Sequence, residues 1–356
     1  MQRWFADLGH FPVPSAKAAT ETKPVDLPQS LSDWMSTFGA DSLIQSVSRP
    51  AMGCEFEVLL NQHQYADAVQ AALDALKQID YLESLLSVYR VTSQISKVNQ
   101  FGHLRSVAVD AHTMELIQLG IDVYCWTDGA FDLTAGSLSE AWGFSRRQGA
   151  MPSDLQIRQA LELVGSEHLR LGSSEQTVAL NRSGVQINTG GIGKGYALDC
   201  AARLMAERGV NDFMMHGGLS SIVARGHRRD IFADGWRVAL KHPWREDEII
   251  ETITLRDQAL GTSGSGKQFF HFGGKRYSHI IDPRSGWPAE GMMSTTVVCP
   301  SGGVADALAT GLFVLGPQAA IEFCQANPEI SSVLIFIDPK SGRQRIERCN
   351  WTNVSD

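Results

Sequence analysis

The chain has 356 residues, 43% hydrophobic and 20% charged, which is the balance of a soluble globular protein with a sizeable core. Lys+Arg 31 against Asp+Glu 39 leaves a formal charge of −8, which disfavours a general nucleic-acid surface. No apolar run approaches the roughly 18 residues of a membrane span, so no transmembrane segment is expected.

The N-terminus, Met1-Gln2-Arg3-Trp4-Phe5-Ala6-Asp7, lacks a basic region followed by an apolar stretch, so it reads as cytoplasmic, without a secretion signal. Residues 11–30 are rich in Pro, Ala, Thr and Ser, which is linker composition. The expected organisation is an N-terminal extension over 1–45 and one globular domain over 46–350. Leu43–Leu60 reads as two strands around Arg49-Pro50-Ala51-Met52-Gly53.

Apolar residues at Ala68, Ala71, Leu76, Ile79 and Leu82 repeat at helical spacing and predict a long amphipathic helix over Tyr65–Leu86. Ala111–Thr127 is a second helix, with Gly129 as its stop. Ser153 and Gln156 form a capping box for a third. Short strands follow at Leu169–Leu171, Thr177–Leu180 and Val185–Ile187. A helix then runs from about Gly193 to Arg208, closed by Gly209. Strand-like runs dominate from Phe213 to Val298. Helices cover about Val304–Leu315 and Gln318–Ala326, and Val333–Ile337 is a final strand. Helices and strands mix without strict βαβ alternation, so the fold class is α+β. Cys54, Cys125, Cys200, Cys299, Cys324 and Cys349 form no C-x-x-C pair and suggest no zinc site; they read as buried free thiols.

Gly261–Lys267 reads Gly-Thr-Ser-Gly-Ser-Gly-Lys and nearly matches a phosphate-binding P-loop, but Gln268 stands where Ser or Thr should hold Mg²⁺. A P-loop also opens a helix. Here Phe269–Ser278 is β-prone on both sides of Gly273-Gly274, which reads as a hairpin.

Four other stretches could carry chemistry. Asn188-Thr189-Gly190-Gly191-Ile192-Gly193-Lys194-Gly195 follows a strand and opens a helix, so glycines, helix N-terminus and Lys194 could meet an anion. Equally, it is a glycine-rich turn with a solvated lysine. Asp306 and Thr310 are four residues apart, so both oxygens share a helix face, as a hard cation with substrate phosphates would want. The plain alternative is an N-terminal Asp and a back-bonded Thr. His279 precedes the turn Asp282-Pro283-Arg284-Ser285-Gly286 and is placed to act as a base, or is simply hydrogen-bonded beside that turn. Ala130-Phe131-Asp132 on a glycine-flanked loop, with Trp142-Gly143-Phe144, could grip a flat ring, or could be core aromatics with a capping Asp.

Taken in order, these stretches resemble the ApbE family, the FAD:protein FMN transferases, over about residues 46–340. The resemblance is carried by Ala51-Met52-Gly53, Tyr89-Arg90 with Ser93 and Asn99, Phe131-Asp132-Leu133-Thr134, and Asn188 to Tyr196. Further on it includes Gly217-Gly218, Trp236 to Pro243, Thr262-Ser263-Gly264, His279 to Gly286, and Ala305 to Thr310. It implies an ApbE-like, T-fold-related, two-lobed fold of mixed sheet and helix, with the active site between the lobes. It implies that Met52, Tyr89, Ala130, Phe131, Asp132, Asn188 and Lys194 bind FAD, the substrate. Mg²⁺ falls on the Gly191 carbonyl, Asp306 and Thr310, and catalytic roles fall on His279 and Asp306. The implied reaction transfers FMN from FAD to a Thr or Ser hydroxyl of an acceptor redox protein and releases AMP.

Two departures stand out. Asn188 replaces a frequent Asp, and Ser263-Gly264-Ser265 replaces Ser-Gly-(Asp/Asn). Many members of the family are exported, in contrast to the cytoplasmic reading of this N-terminus. Two other activities would use similar residues: FAD pyrophosphatase activity, giving FMN and AMP, and passive FAD binding, which needs neither His279 nor the Asp306/Thr310 pair.

Overall fold

The computed structural model describes Met1 and residues 43–146, 148–229, 234–245, 247–266 and 268–351. The expected linker at 11–30, nearly all of the expected extension over 1–45, and Lys267 lie outside the described residues.

The chain opens with β1 (Ile44–Ala51) and β2 (Cys54–Asn61), joined by the two-residue turn Met52-Gly53. Both turn residues have positive φ, 48° and 73°, as a right-twisted hairpin requires. Helix α1 (Ala68–Leu86) buries the predicted apolar stripe, including Ala72, Ala75 and Ile79. Then come α2 (Gln94–Phe101), β3 (Val107–Ala108) and α3 (Ala111–Trp126). Gly129, at φ 73°, follows α3 as expected. Short α4 (Gly136–Ala141) precedes α5 (Asp154–Leu161), whose Ser153/Gln156 capping box is formed in both directions. A small three-stranded sheet combines β3 with β4 (Leu169–Gly172) and β5 (Thr177–Leu180).

Val185–Ile187, expected as a strand, is not one. It makes a single parallel bridge through Gln186 to Ala135. The side chain of Asn99 does the work of a neighbouring strand instead, accepting from Ile187 N at 2.8 Å and donating to Ile187 O at 3.0 Å.

The second half of the chain builds the main sheet. After α6 (Gly193–Glu207) come β6 (Phe213–Gly217), β7 (Ser221–Arg225), β8 (Trp236–Lys241), β9 (Ile249–Leu255) and β10 (Gln258–Gly264). The hairpin β11 (Phe269–Phe272) and β12 (Lys275–Ser278) turns at Gly273-Gly274, as predicted. Then follow β13 (Met292–Cys299), α7 (Gly302–Leu315), α8 (Pro317–Ala326), β14 (Ser331–Ile337) and β15 (Gln344–Cys349). Eight strands pair in the order β1-β2-β6-β7-β10-β13-β14-β15, antiparallel throughout.

Alternation along these strands sends one set of side chains to each face. On the first face, Phe213, Met215, Val223 and Val297 join the main core with α1, α6 and α7. On the second face, Met214, Ile222, Leu260 and Val298 pack under the separate ribbon β8–β9, through its Trp236, Val238 and Leu240. A third cluster around Leu138, Trp142, Phe144 and Ile281 seats the β11–β12 hairpin against α4 and α5. Its Trp142 is fully buried and donates to Gly286 O at 2.8 Å.

The six cysteines are all free thiols. Four are buried, but Cys54 is half-buried and Cys125 is exposed, which corrects the expectation that all would be inside. No helix among the described residues is long and apolar enough to cross a membrane.

Candidate active site

A tight approach of two helix backbones positions the site. A Cβ on Gly195, in the first turn of α6, would lie 1.9 Å from Gly302 O, so only glycine lets α6 and α7 meet there. Asp199, one turn further along α6, then caps α7. Its carboxylate accepts from Ser301 Oγ at 2.7 Å, Gly302 N at 2.7 Å and Gly303 N at 3.0 Å.

This contact carries Asp306 of α7 to the start of α6. Asp306 Oδ2 accepts from Gly195 N at 2.8 Å, and Ser221 Oγ lies 2.8 and 2.9 Å from the two carboxylate oxygens. Burial pushes the Asp306 carboxyl above its ordinary value, while the nearby Lys194 charge and the two donors pull it back. Part of the expected anion cradle is therefore occupied from within the chain, because Gly195 N–H already serves a carboxylate.

Thr310 lies one turn further along α7. Its Oγ1 is 2.9 Å from Ser263 Oγ and donates back to Asp306 O at 3.3 Å. A Cβ on Gly191 would be 3.3 Å from Thr310 Oγ1 and 3.1 Å from Phe131, so the Gly190-Gly191 backbone runs directly beside them. Gly191, Asp306 and Thr310 thus lie together along one wall of the cavity.

The Asn188 side chain builds its own turn. Asn188 Oδ1 accepts from Gly190 N at 2.9 Å. An amide oxygen does this as well as a carboxylate, so Asn188 keeps the local geometry while removing a negative charge.

Asp132 is buried, and only one of its oxygens is satisfied. Oδ1 accepts from Thr134 N, Thr134 Oγ1 and Ser166 Oγ at 2.8, 2.8 and 3.1 Å, and Oδ2 has no partner. Burial raises its pKa, opposed by those hydrogen bonds. A buried orphan oxygen of this kind is costly unless something else meets it.

His279 lies at the base of the β11–β12 hairpin. Its Nδ1 is 3.0 Å from Gln268 O. A carbonyl only accepts, so Nδ1 carries the proton and Nε2 keeps the lone pair. Burial lowers the His279 pKa, which favours the neutral ring.

One cavity of about 1610 Å³ joins these parts. Met52, Tyr89, Ala130, Phe131, Asp132, Asn188, Gly191, Lys194, His279, Asp306 and Thr310 all line it. It exceeds the roughly 300–1,000 Å³ of ordinary small-ligand pockets and has room for a dinucleotide. Tyr89 is 74% exposed, so it stands at the mouth. Ser221 is the residue that sequence reasoning missed. Its position after Gly217-Gly218 was the available signal, but nothing in the spacing tied it to a carboxylate 85 residues away.

Among the described residues, no group of three or more His, Cys, Asp or Glu could hold a metal. The oxygen groups gathered at Asp306 are its own carboxylate and the hydroxyls of Ser221 and Thr310, with the Gly191 backbone beside Thr310. That set suits a hard cation completed by phosphate oxygens and water, and does not suit zinc. A cation there would also relieve the buried charge of Asp306.

The fold and cavity place the chain among known proteins. The ApbE family model matches residues 52–334, most of the chain. The chain belongs to the ApbE family. It is 30% identical over 286 residues to the FAD:protein FMN transferase of Vibrio cholerae, covering 79% of this chain and 84% of that protein. With the Salmonella typhimurium protein of the same name it shares 34% over 278 residues, 74% of this chain and 75% of the other. Among solved structures it is similar to the flavin transferase ApbE from Vibrio cholerae, with TM-score 0.76 and 28% identity, over 86% of this chain and 97% of that one. It is also similar to the Pseudomonas stutzeri flavinyl transferase ApbE, with TM-score 0.75 and 26% identity, over 86% and 94%.

Proposed function

We propose that this chain is an FAD:protein FMN transferase that moves FMN from FAD to a Ser or Thr hydroxyl of an acceptor redox protein and releases AMP. Its membership of the ApbE family and the names of its relatives support the reaction class. The observation that carries the site assignment is the meeting of Asp306, Thr310, Gly191 and Lys194 in the same cavity as His279, with Ser221 and Gly195 N holding the Asp306 carboxylate from behind.

Gly191 O, Asp306 and Thr310 would hold Mg²⁺. When bound, the ion supplies neutralisation of phosphate charge and polarisation of the phosphorus–oxygen bond. Lys194 adds a second positive charge on the same side, as in other phosphoryl transfers. Tyr89 at the mouth, and Met52 and Ala130-Phe131-Asp132 in the wall, bind FAD. The orphan oxygen of Asp132 gives a donor on the ligand a partner. Ser221 and Gly195 N hold the Asp306 carboxylate in one orientation. His279 Nε2 takes the proton of the acceptor hydroxyl. That oxygen forms a bond to the FMN phosphorus as the phosphorus–oxygen bond to AMP breaks, and AMP leaves with its own phosphate.

Incubating the chain with FAD, Mg²⁺ and a candidate acceptor tests this. Covalent flavin on the acceptor, lost in Asp306→Ala, supports the reading. Free FMN alone would make the chain a pyrophosphatase, and uncleaved bound FAD would make it a carrier.

A further inference from the structure

Among the described residues, strand β8 pairs with β9 alone, so the β8–β9 ribbon has an unpaired backbone edge. Alternate N–H and C=O groups along Trp236–Lys241 therefore point away from β9. Every residue from Trp236 to Pro243 lines the same cavity as His279 and Asp306. Neighbouring side chains of a strand point to opposite faces, so a strand that borders a cavity with all of them presents its edge to it.

This edge leads to the candidate base. Pro243 follows β8, and a Cβ on Gly266 would come within 2.4 Å of Pro243 O. Gln268, two residues beyond Gly266, holds the His279 imidazole through its carbonyl.

The floor beside the edge is the second face of β2 and β6. It carries the half-buried Leu59 and His216 at the cavity, with Met214 packed beneath the ribbon. His216 Nε2 lies 3.0 Å from Glu57 Oε2, while the buried His216 Nδ1 has no hydrogen-bond partner. The rim is basic. Arg237 and Lys241 point away from the ribbon's buried side, and among the described residues neither forms an ion pair. A free edge normally invites indiscriminate pairing. Charged side chains and the bulge at Leu240/Lys241 are devices that restrict it.

We propose that the hydroxyl-bearing segment of the acceptor protein docks here in extended form, as an added strand along β8. Main-chain hydrogen bonds to the edge supply affinity, and the floor reads alternate side chains. Arg237 and Lys241 select a segment with acidic residues beside its hydroxyl. The inference rests on the proposed transferase activity, because a hydrolase or a carrier has no peptide to seat.

The test uses hydrogen–deuterium exchange on the full chain with FAD and Mg²⁺. The probe is the redox subunit that gains FMN on co-expression with the unaltered chain, or a synthetic peptide spanning about six residues on each side of its modified hydroxyl, enough for a typical strand. Addition of the probe is expected to slow exchange across 236–241, whereas FAD alone leaves those amides unchanged. The double variant R237E/K241E should raise the KM for the acceptor about tenfold, as expected for lost charge complementarity, with FAD affinity and kcat retained. Protection confined to the β11–β12 hairpin or the Tyr89 loop, with transfer intact, overturns the docking site and leaves the transferase reading standing. So does protection of 236–241 that appears without acceptor and grows with protein concentration, which means a second copy fills the edge. If no subunit ever gains FMN, the transferase reading itself fails, and this inference falls with it.

Discussion

Ser221 Oγ lies 2.8 and 2.9 Å from the two carboxylate oxygens of Asp306, joining the strand after Gly217-Gly218 to the helix that carries the candidate metal donors. The hydroxyl fixes the plane of a buried carboxylate whose other hydrogen bond, among the described residues, comes from Gly195 N. Hydrogen-bond partners of metal-binding groups typically contribute 10–100-fold in affinity or activity. Ser221→Ala is accordingly expected to raise the Mg²⁺ concentration for half-maximal transfer by roughly that factor. Titrating activity with Mg²⁺ at saturating FAD checks this, and an unchanged half-saturation would show that Ser221 is only packing.

His279→Ala is expected to lower kcat by roughly 10²–10⁴-fold, the usual contribution of a positioned base. FAD binding, followed by quenching of flavin fluorescence, should be unchanged. A parallel loss of FAD affinity would assign His279 to binding instead.

The pH dependence follows from the burial of the same ring. The folded His279 pKa lies below the ordinary 6.5, so the unfolded chain takes up the proton first as pH falls. Its contribution to stability is present above 6.5 and is lost as pH drops through the lower folded value. The acid limb of kcat/KM should likewise fall below pH 6.5. An acid limb above that value would contradict a neutral, buried base.

Gly195→Ala tests the contact that assembles the site. Its Cβ would meet Gly302 O at 1.9 Å, so α6 and α7 must separate. Overpacking of this kind costs about 1–3 kcal/mol or more, and a depressed thermal midpoint with weakened Mg²⁺ dependence is expected. Asp199→Ala removes the acceptor of three donors at the start of α7. It should cost roughly 1–3 kcal/mol, because buried donors lose their partner.

Much of this was legible in the chain. The β11–β12 hairpin followed from β-prone residues around Gly273-Gly274, and α5 from Ser153 and Gln156. The near P-loop Gly261–Lys267 was rightly set aside for its context. Gly261 to Gly264 belong to β10, and a Cβ on Gly261 would lie 2.4 Å from the Ala305 backbone, so that glycine admits α7 and serves no phosphate. Other features were hidden for physical reasons. Val185–Ile187 has strand composition, but a side chain, Asn99, takes the ladder bonds. Strand β15 is an edge strand of mostly polar residues, Gln344-Arg345-Ile346-Glu347-Arg348, and shows little apolar alternation. Ser221 and the free edge of β8 depend on contacts far apart in sequence, which local pattern does not encode.

The most direct measurement is mass spectrometry of an acceptor subunit incubated with the chain, FAD and Mg²⁺, with AMP quantified in the same reaction. The account predicts an acceptor carrying one FMN on a Ser or Thr, one AMP released for each, and neither product with Asp306→Ala. An unmodified acceptor beside equal amounts of free FMN and AMP would contradict it.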